Sequence, residues 1–235
     1  MSSRSSVSKP NGKKSRRRKI GEFRRCRHRR ILRGATHLVT KKCTNDLFLI
    51  LPSRIVNKIL KYALFVCAAK YGIIVHGYIF MSNHFHLVVT DPRGRLPDFM
   101  RDFLKDTSAA LQAATPVDQP VWDRRRYDST HLLDLDAAMR KLVYVDLNSS
   151  RAGLTRPEEW PGLTSMTEKV GVPLYAERPN VYFSKRRPDV AECRLVPLSE
   201  TFLGALFEET EREIEDLRRQ ELRSIEAGLE AKGRS

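Results

Sequence analysis

Two histidines separated by one residue are the strongest chemical feature of this chain. His84 and His86 flank Phe85 in the run Met81–Val89. If this run is a strand, alternate side chains point to opposite faces, so the two imidazoles share one face while Phe85 faces a core. Two imidazoles on one face can hold a divalent metal ion. A strand histidine pair can also be purely structural, so it indicates a metal site only together with further candidate residues.

Tyr144 and Asn148 are that candidate partner. A spacing of four residues places both on one face of a helix, one turn apart. A phenol, with a pKa of ~10, is a poor nucleophile unless its surroundings assist it. A metal that withdraws charge from a phosphate oxygen would assist attack by Tyr144, and the Asn148 amide could complete the metal's coordination. A helix tyrosine is often only a packing residue, so the joint occurrence of the four residues is what is specific.

The hydrophobic pattern predicts the elements that carry these residues. Strand, helix, strand, strand, helix, strand is the order of an α+β fold, the ferredoxin-like split βαβ with a central antiparallel sheet. We expect an extra tyrosine-bearing helix, a basic N-terminal tail and a C-terminal helical extension. The predicted strands cover 36–40, 73–81, 84–90 and part of 121–133, and the predicted helices cover 54–70, 96–112, 136–150 and 199–230. Gly72 should end the first helix, and Asp136 should cap the third.

Charge divides the chain into unequal parts. The net charge is +15, and residues 1–33 hold 14 Lys and Arg residues against one acid, Glu22. So polar a segment cannot fold alone, and it attracts phosphate backbones without sequence preference. The charge distribution predicts a basic, disordered tail at 1–33. The element pattern predicts a folded domain with the candidate catalytic residues at 34–155, and an irregular linker and charged helix at 156–235. The candidate DNA-binding residues are Arg16, Arg17, Arg18, Arg24, Arg25, Arg124, Arg125 and Arg126, although a solvated tail and a solvated loop are the alternatives.

The remaining composition limits the class of protein. Four cysteines without CxxC spacing predict neither a zinc ribbon nor a disulfide framework. The N-terminus lacks the apolar segment of a secretory signal, and the longest apolar run is too short to cross a membrane. We expect a cytoplasmic, nucleoid-associated protein with no membrane partner.

Two runs resemble a known family. Gly77–Val88 and Tyr144–Leu154, followed by Trp160-Pro161, are similar to the single-tyrosine HUH transposases of bacterial insertion sequences, in particular the REP-associated tyrosine transposase branch. The resemblance covers roughly residues 30–165. It implies a metal-dependent transposase that cleaves and rejoins single-stranded DNA, often near a hairpin, through a 5′-phosphotyrosine. It also implies Tyr144 as nucleophile and a divalent metal, Mg or Mn, held by His84, His86 and Asn148.

This chain departs from the family pattern after Asn148, where Ser149-Ser150 stands in place of the usual Pro-Val. The departure leaves open a domesticated, non-catalytic DNA-binding protein of the same fold. A rolling-circle initiator or relaxase shares the metal pair, but those families arrange the tyrosine and histidine motifs differently. The sequence does not decide between a monomer and a homodimer.

Overall fold

A four-stranded antiparallel sheet organises the computed structural model, which describes residues 32–202 and 204–233. Its strands are β1 (Ala35–Lys42), β2 (Ile74–Phe80), β3 (His84–Asp91) and β4 (Asp128–Leu132). A separate hairpin is formed by β5 (Pro173–Glu177) and β6 (Val190–Arg194). The helices are α1 (Arg54–Tyr71), α2 (Leu96–Ala114), α3 (Leu135–Asp146), the short α4 (Asn148–Arg151) and α5 (Phe207–Gly233).

The predicted ferredoxin-like arrangement is confirmed. The elements run β1-α1-β2-β3-α2-β4 along the chain, and the strands lie in the order β2-β3-β1-β4 within the sheet. Each neighbouring pair is antiparallel. The β1-α1-β2 unit is therefore split by β3, which inserts between its two strands and places the His84 strand in the centre of the sheet.

The first helix begins and ends where local chemistry dictates. The Ser53 hydroxyl accepts a hydrogen bond from the N–H of Val56, which satisfies one of the free donors at the helix start. Gly72 ends the helix with φ 66°, a left-handed conformation that glycine adopts without the Cβ penalty. The predicted glycine end of this helix is confirmed.

The two faces of the sheet are covered by different helices. Helices α1 and α2 pack on the face that contains Phe80 and Phe85, and these residues belong to the larger core cluster. Helices α3 and α5 contribute to a second cluster on the opposite face, around Ile79 and Val88. Gly77 allows α3 to approach β2 closely, since a Cβ at that position would overlap the Leu142 side chain. Helix α3 is therefore held against the face of the sheet to which His84 and His86 point.

The third helix differs from the prediction at both ends. Its N-cap is Asp134 rather than Asp136, because the Asp134 carboxylate accepts the N–H of Ala137 at 2.7 Å. The helix is interrupted at Leu147 (φ −93°, ψ 11°), so it does not run unbroken to residue 150. Beyond the break, the Ser150 hydroxyl donates to the Thr155 carbonyl at 2.8 Å and joins α4 to the segment that follows it.

The segment after α4 is more ordered than the irregular linker predicted for it. Residues 163–165 run beside β2, with Phe80 donating its N–H to the Leu163 carbonyl and Ser165 donating to the Tyr78 carbonyl, both at 2.8 Å. The β5–β6 hairpin then packs on α1. Helix α5 starts at Phe207 instead of near 199, and it buries Ile214 against the α3 side of the sheet. In the described part of the chain, no helix is long and apolar enough to cross a membrane.

Candidate functional site

The candidate residues converge on one face of the sheet. The ring centroids of His84 and His86 are 4.9 Å apart, and that of Tyr144 lies 5.3 Å from His86. Strand alternation explains the imidazole pair, and Phe85 between them is fully buried on the opposite face. Tyr144 reaches the same place because α3 covers this face. The structure therefore brings the two imidazoles and the phenol together.

Hydrogen bonds orient both imidazoles in the same way. The Nδ1–H of His84 donates to the Oδ1 of Asn83 at 2.7 Å, since an amide oxygen can only accept. The Nδ1 of His86 lies 2.8 Å from the Oγ1 of Thr40, which can accept its proton. With the proton on Nδ1 in both rings, each Nε2 would have a lone pair for a metal ion. Partners of this kind on the second ring nitrogen are typical of metal-ligating histidines.

Burial keeps the imidazoles neutral. It lowers the pKa of His86 to about 3, with the charges of His84 and Lys141 acting in the same direction. Burial also lowers the pKa of His84, against an opposing contribution from the nearby Asn148 side chain. Because a histidine must be neutral to ligate a metal, both rings have the required protonation state near neutral pH.

Asn148 completes a possible donor set. Its side chain is buried and close enough to His84 to affect the pKa of that ring, although the helix break at Leu147 puts Asn148 on α4 and Tyr144 on α3. Two imidazole nitrogens and one amide oxygen are donors that a divalent transition metal accepts. Within residues 32–202 and 204–233, no group of three or more His, Cys, Asp or Glu side chains could hold a metal. A site here with three protein ligands would therefore need the Asn148 amide oxygen as the third.

Two cations flank the phenol of Tyr144. The Nζ of Lys141 lies 5.5 Å from the ring centroid, and the Cζ of Arg151 lies 5.4 Å from it. Arg151 is held in turn by Glu221 of α5 at 2.6 Å. Positive charge beside Tyr144 favours a bound phosphate group. The Tyr144 ring is thus next to the His86 imidazole and to the cations of Lys141 and Arg151.

Sequence reasoning missed Thr40 and Lys141. Thr40 lies directly opposite His86 in the β1–β3 register, so only knowledge of the strand pairing could have found it. Lys141 precedes Tyr144 by three residues, and helical spacing alone could have placed it beside the phenol.

The three consecutive arginines before β4 line a groove. Arg124, Arg125 and Arg126 are exposed and border a cavity of about 390 Å³ between α2 and residues 122–127. Lys41 supports this loop by donating to the carbonyls of Asp123 and Arg125. The adjoining cavity includes Thr40, the partner of His86, so basic side chains extend to the edge of the site. The tail arginines Arg16, Arg17, Arg18, Arg24 and Arg25 lie outside the described residues.

Other residues that could have served the same chemistry lie elsewhere. The hydroxyl of Tyr78 is buried without a hydrogen-bond partner in the core under α1 and α2, and burial raises the pKa of this phenol. His76 is buried and bonded to the Val196 carbonyl and to Thr90. Tyr78 belongs to the core on the opposite face of the sheet, and the His76 ring is bonded to Thr90, four residues along β3 from His86.

Comparison with known proteins supports the same class of fold. No protein-family model and no curated protein matches the chain. Among solved structures, it is similar to a REP-associated tyrosine transposase bound to a REP hairpin, at 16% identity and a TM-score of 0.50, over 59% of this chain and 80% of that chain. It also matches a candidate transposase from Deinococcus radiodurans R1, at 18% identity and a TM-score of 0.36, over 45% of this chain and 85% of that chain. The first likeness shows a shared fold.

Proposed function

We propose that this protein is a metal-dependent transposase that cleaves and rejoins single-stranded DNA through a 5′-phosphotyrosine. The observation that carries the proposal is the convergence of Tyr144 with His84, His86 and Asn148 on one face of the sheet. The shared fold with a transposase that binds a REP hairpin adds support. We infer from it that the DNA is single-stranded and flanks a hairpin, and that the protein acts at the nucleoid.

Tyr144 would be the nucleophile. Its Oη forms a bond to the phosphorus while the bond from phosphorus to the 3′ oxygen breaks. The phenol proton passes to solvent, and the departing 3′ oxygen takes up a proton. One DNA end is then linked to the protein through its 5′ phosphate, and a 3′ hydroxyl can reverse the step with another strand, so no nucleotide cofactor is needed.

His84, His86 and Asn148 would hold a divalent metal ion, Mg or Mn, which polarises a phosphate oxygen when bound. Their neutral donors fit such an ion, and the two imidazoles favour Mn over Mg because nitrogen ligands suit transition metals better. Asn83 and Thr40 each engage an Nδ1 and so would leave Nε2 for the ion. Lys141 and Arg151 would contact the scissile phosphate beside Tyr144.

A DNA-binding protein without cleavage is the second candidate, because Ser149-Ser150 replaces the usual family residues. The Ser149 hydroxyl is buried without a partner, which is a sign of a modified helix end. The Asn148 amide nevertheless lies close to His84, and this proximity favours the catalytic candidate.

A covalent-adduct assay tests the proposal. The full chain is incubated with hairpin-bearing single-stranded DNA and Mn, and protein–DNA species that survive denaturing electrophoresis are quantified. We expect adduct from the parent and from Tyr175→Phe, which removes an exposed phenol on β5, and none from Tyr144→Phe.

Each result has a clear meaning. Adduct formation by Tyr144→Phe at the parent level would rule out this nucleophile. Salt-sensitive DNA binding by the parent without any adduct would support the binding-only candidate instead, since phosphate contacts weaken as salt rises.

A further inference from the structure

We propose that the β1–α1 loop, residues 43–53, forms a nucleobase-binding subsite in which Phe48 stacks on one unpaired base of single-stranded DNA. The identity of the ligand rests on the function proposed above. Loop and candidate active site lie at the same end of the sheet, because β1 ends and β3 begins there and Lys42 pairs with His84. The subsite would hold the strand on one side of the scissile phosphate.

The loop exposes an unusual amount of apolar surface. Phe48 is 66% exposed, and Leu47 and Leu51 next to it are also exposed, whereas Ile50 is buried beneath them. An aromatic side chain surrounded by aliphatic ones is a suitable surface for the π-face of a base. Clustered exposed apolar residues of this kind mark interaction sites more often than a single exposed leucine does.

The backbone of the loop is firmly held. Cys43 donates its N–H to the Asn83 carbonyl at 2.7 Å, and Ile50 donates to the Ser82 carbonyl at 3.1 Å. Asn45 and Asp46 have φ values of 54° and 56°, a left-handed conformation that persists only where the surroundings enforce it. Phe48 is therefore presented to solvent by a fixed loop, and little ordering entropy opposes the binding of a base.

One amide joins the loop to the imidazole pair. The Nδ2 of Asn83 donates to the Asp46 carbonyl at 3.2 Å, while its Oδ1 accepts from the Nδ1 of His84 at 2.7 Å. The same side chain thus fixes the tautomer of His84 and the position of the loop that carries Phe48. A base stacked on Phe48 would lie in a defined position relative to His84.

Charge favours nucleic acid over a protein partner as the occupant. Lys42 projects beside the loop and contacts Asp46 at 2.9 Å, and the exposed Arg54 starts α1 three residues after Leu51. Aromatic surface next to cations is the combination that single-stranded nucleic acid sites use, with the cations following the phosphates and the rings following the bases.

Photo-crosslinking tests this subsite without requiring cleavage. The full chain carrying Tyr144→Phe is mixed with an oligothymidine of about 20 nucleotides that contains 5-iododeoxyuridine, and is then irradiated and mapped by mass spectrometry. We expect a cross-link to Phe48. Adding Phe48→Ala should remove that cross-link and weaken oligothymidine binding by about 5-fold or more, and Phe48→Trp should retain both. Phe207→Ala, which removes a comparably exposed phenylalanine from α5, should change neither.

Unchanged oligothymidine affinity in Phe48→Ala, with no cross-link to Phe48 in the parent background, would overturn the proposal. So would sedimentation data in which Phe48→Ala dissociates a dimer while binding is unaltered, because the loop would then be a protein interface. The oligothymidine readout does not depend on Tyr144, so failure of the subsite and failure of the adduct assay are distinguishable.

Discussion

The guanidinium of Arg218 on α5 donates a 2.6 Å hydrogen bond to the buried carboxylate of Asp146, two residues after Tyr144. Burial raises the pKa of Asp146, and the charge of Arg218 opposes that shift. A second ion pair, between Arg151 and Glu221, joins α4 to the same helix. The C-terminal helix therefore fixes the two short helices that carry the candidate nucleophile and the candidate amide ligand.

Removing Arg218 should destabilise the protein strongly. Arg218→Ala leaves the Asp146 carboxylate buried without a partner, and we expect a loss of about 3–5 kcal/mol in the free energy of unfolding, measured by urea denaturation. Arg219→Ala is the matched control, since its partner Asp216 lies on the same helix and both side chains are exposed. The control should cost less than about 1 kcal/mol. Equal losses in the two variants would show that the buried pair does not support α3.

The fold could be predicted from sequence where the signals are local. Alternation places Phe85 opposite the two histidines, helical spacing marks α1 and α2, and Gly72 ends α1. Those signals were sufficient for the order of elements and hence for the ferredoxin-like sheet. The family resemblance predicted that Tyr144 lies beside His86. This contact requires α3 to pack on the face of the sheet that carries His84 and His86.

What the sequence did not reveal depends on distant pairing. Thr40 is 46 residues from His86, and only the register of β1 against β3 makes them partners. The backbone bonds of residues 163–165 to β2 carry no periodic pattern, so this segment was interpreted as irregular. No glycine or proline in the sequence predicts the helix break at Leu147. Local propensity does not encode contacts of this kind.

Thr40 should affect metal affinity indirectly. Its hydroxyl is bonded to the His86 Nδ1, so it would orient this candidate ligand without contacting the metal itself. Thr40→Val keeps the shape of the side chain and removes the partner of the His86 Nδ1. We expect Mn affinity, measured by electron paramagnetic resonance titration, to fall by about 10- to 100-fold. Thr36→Val removes a hydroxyl bonded to Thr90 at the other end of the same strand, and it should leave Mn affinity unchanged. Equal Mn affinity in Thr40→Val and the parent would contradict the orienting role.

Asn148 should respond to charge as a metal ligand does. Asn148→Ala deletes the oxygen donor, and we expect Mn affinity to fall by about 10-fold, equivalent to about 1.4 kcal/mol. Asn148→Asp supplies a charged oxygen and should bind Mn at least as tightly as the parent, because such cations prefer carboxylates. Asn57→Ala, which removes an exposed amide bonded to the Pro161 carbonyl, is the control. If Asn148→Ala and Asn57→Ala bind Mn equally well, the amide is not a ligand.

His76 should make stability depend on pH independently of the candidate site. It donates its Nδ1–H to the Val196 carbonyl at 2.7 Å, and burial lowers its pKa to about 4. Because the unfolded chain takes up the proton near pH ~6.5, acid favours unfolding. The stabilisation is complete above that pH and is lost as pH falls toward 4, with a total on the order of 3 kcal/mol.

The pH prediction is tested by difference. Asp146, Glu211 and Arg218 line the cavity next to His76, and they remain in both proteins when the parent is compared with His76→Gln. Urea denaturation between pH 7.5 and 4.5 should show the parent losing stability more steeply than the variant. Parallel curves would contradict the prediction, because they would mean that the pKa of His76 is the same in the folded and unfolded states. We expect different pKa values, because the folded chain buries the imidazole and bonds it to the Val196 carbonyl and Thr90.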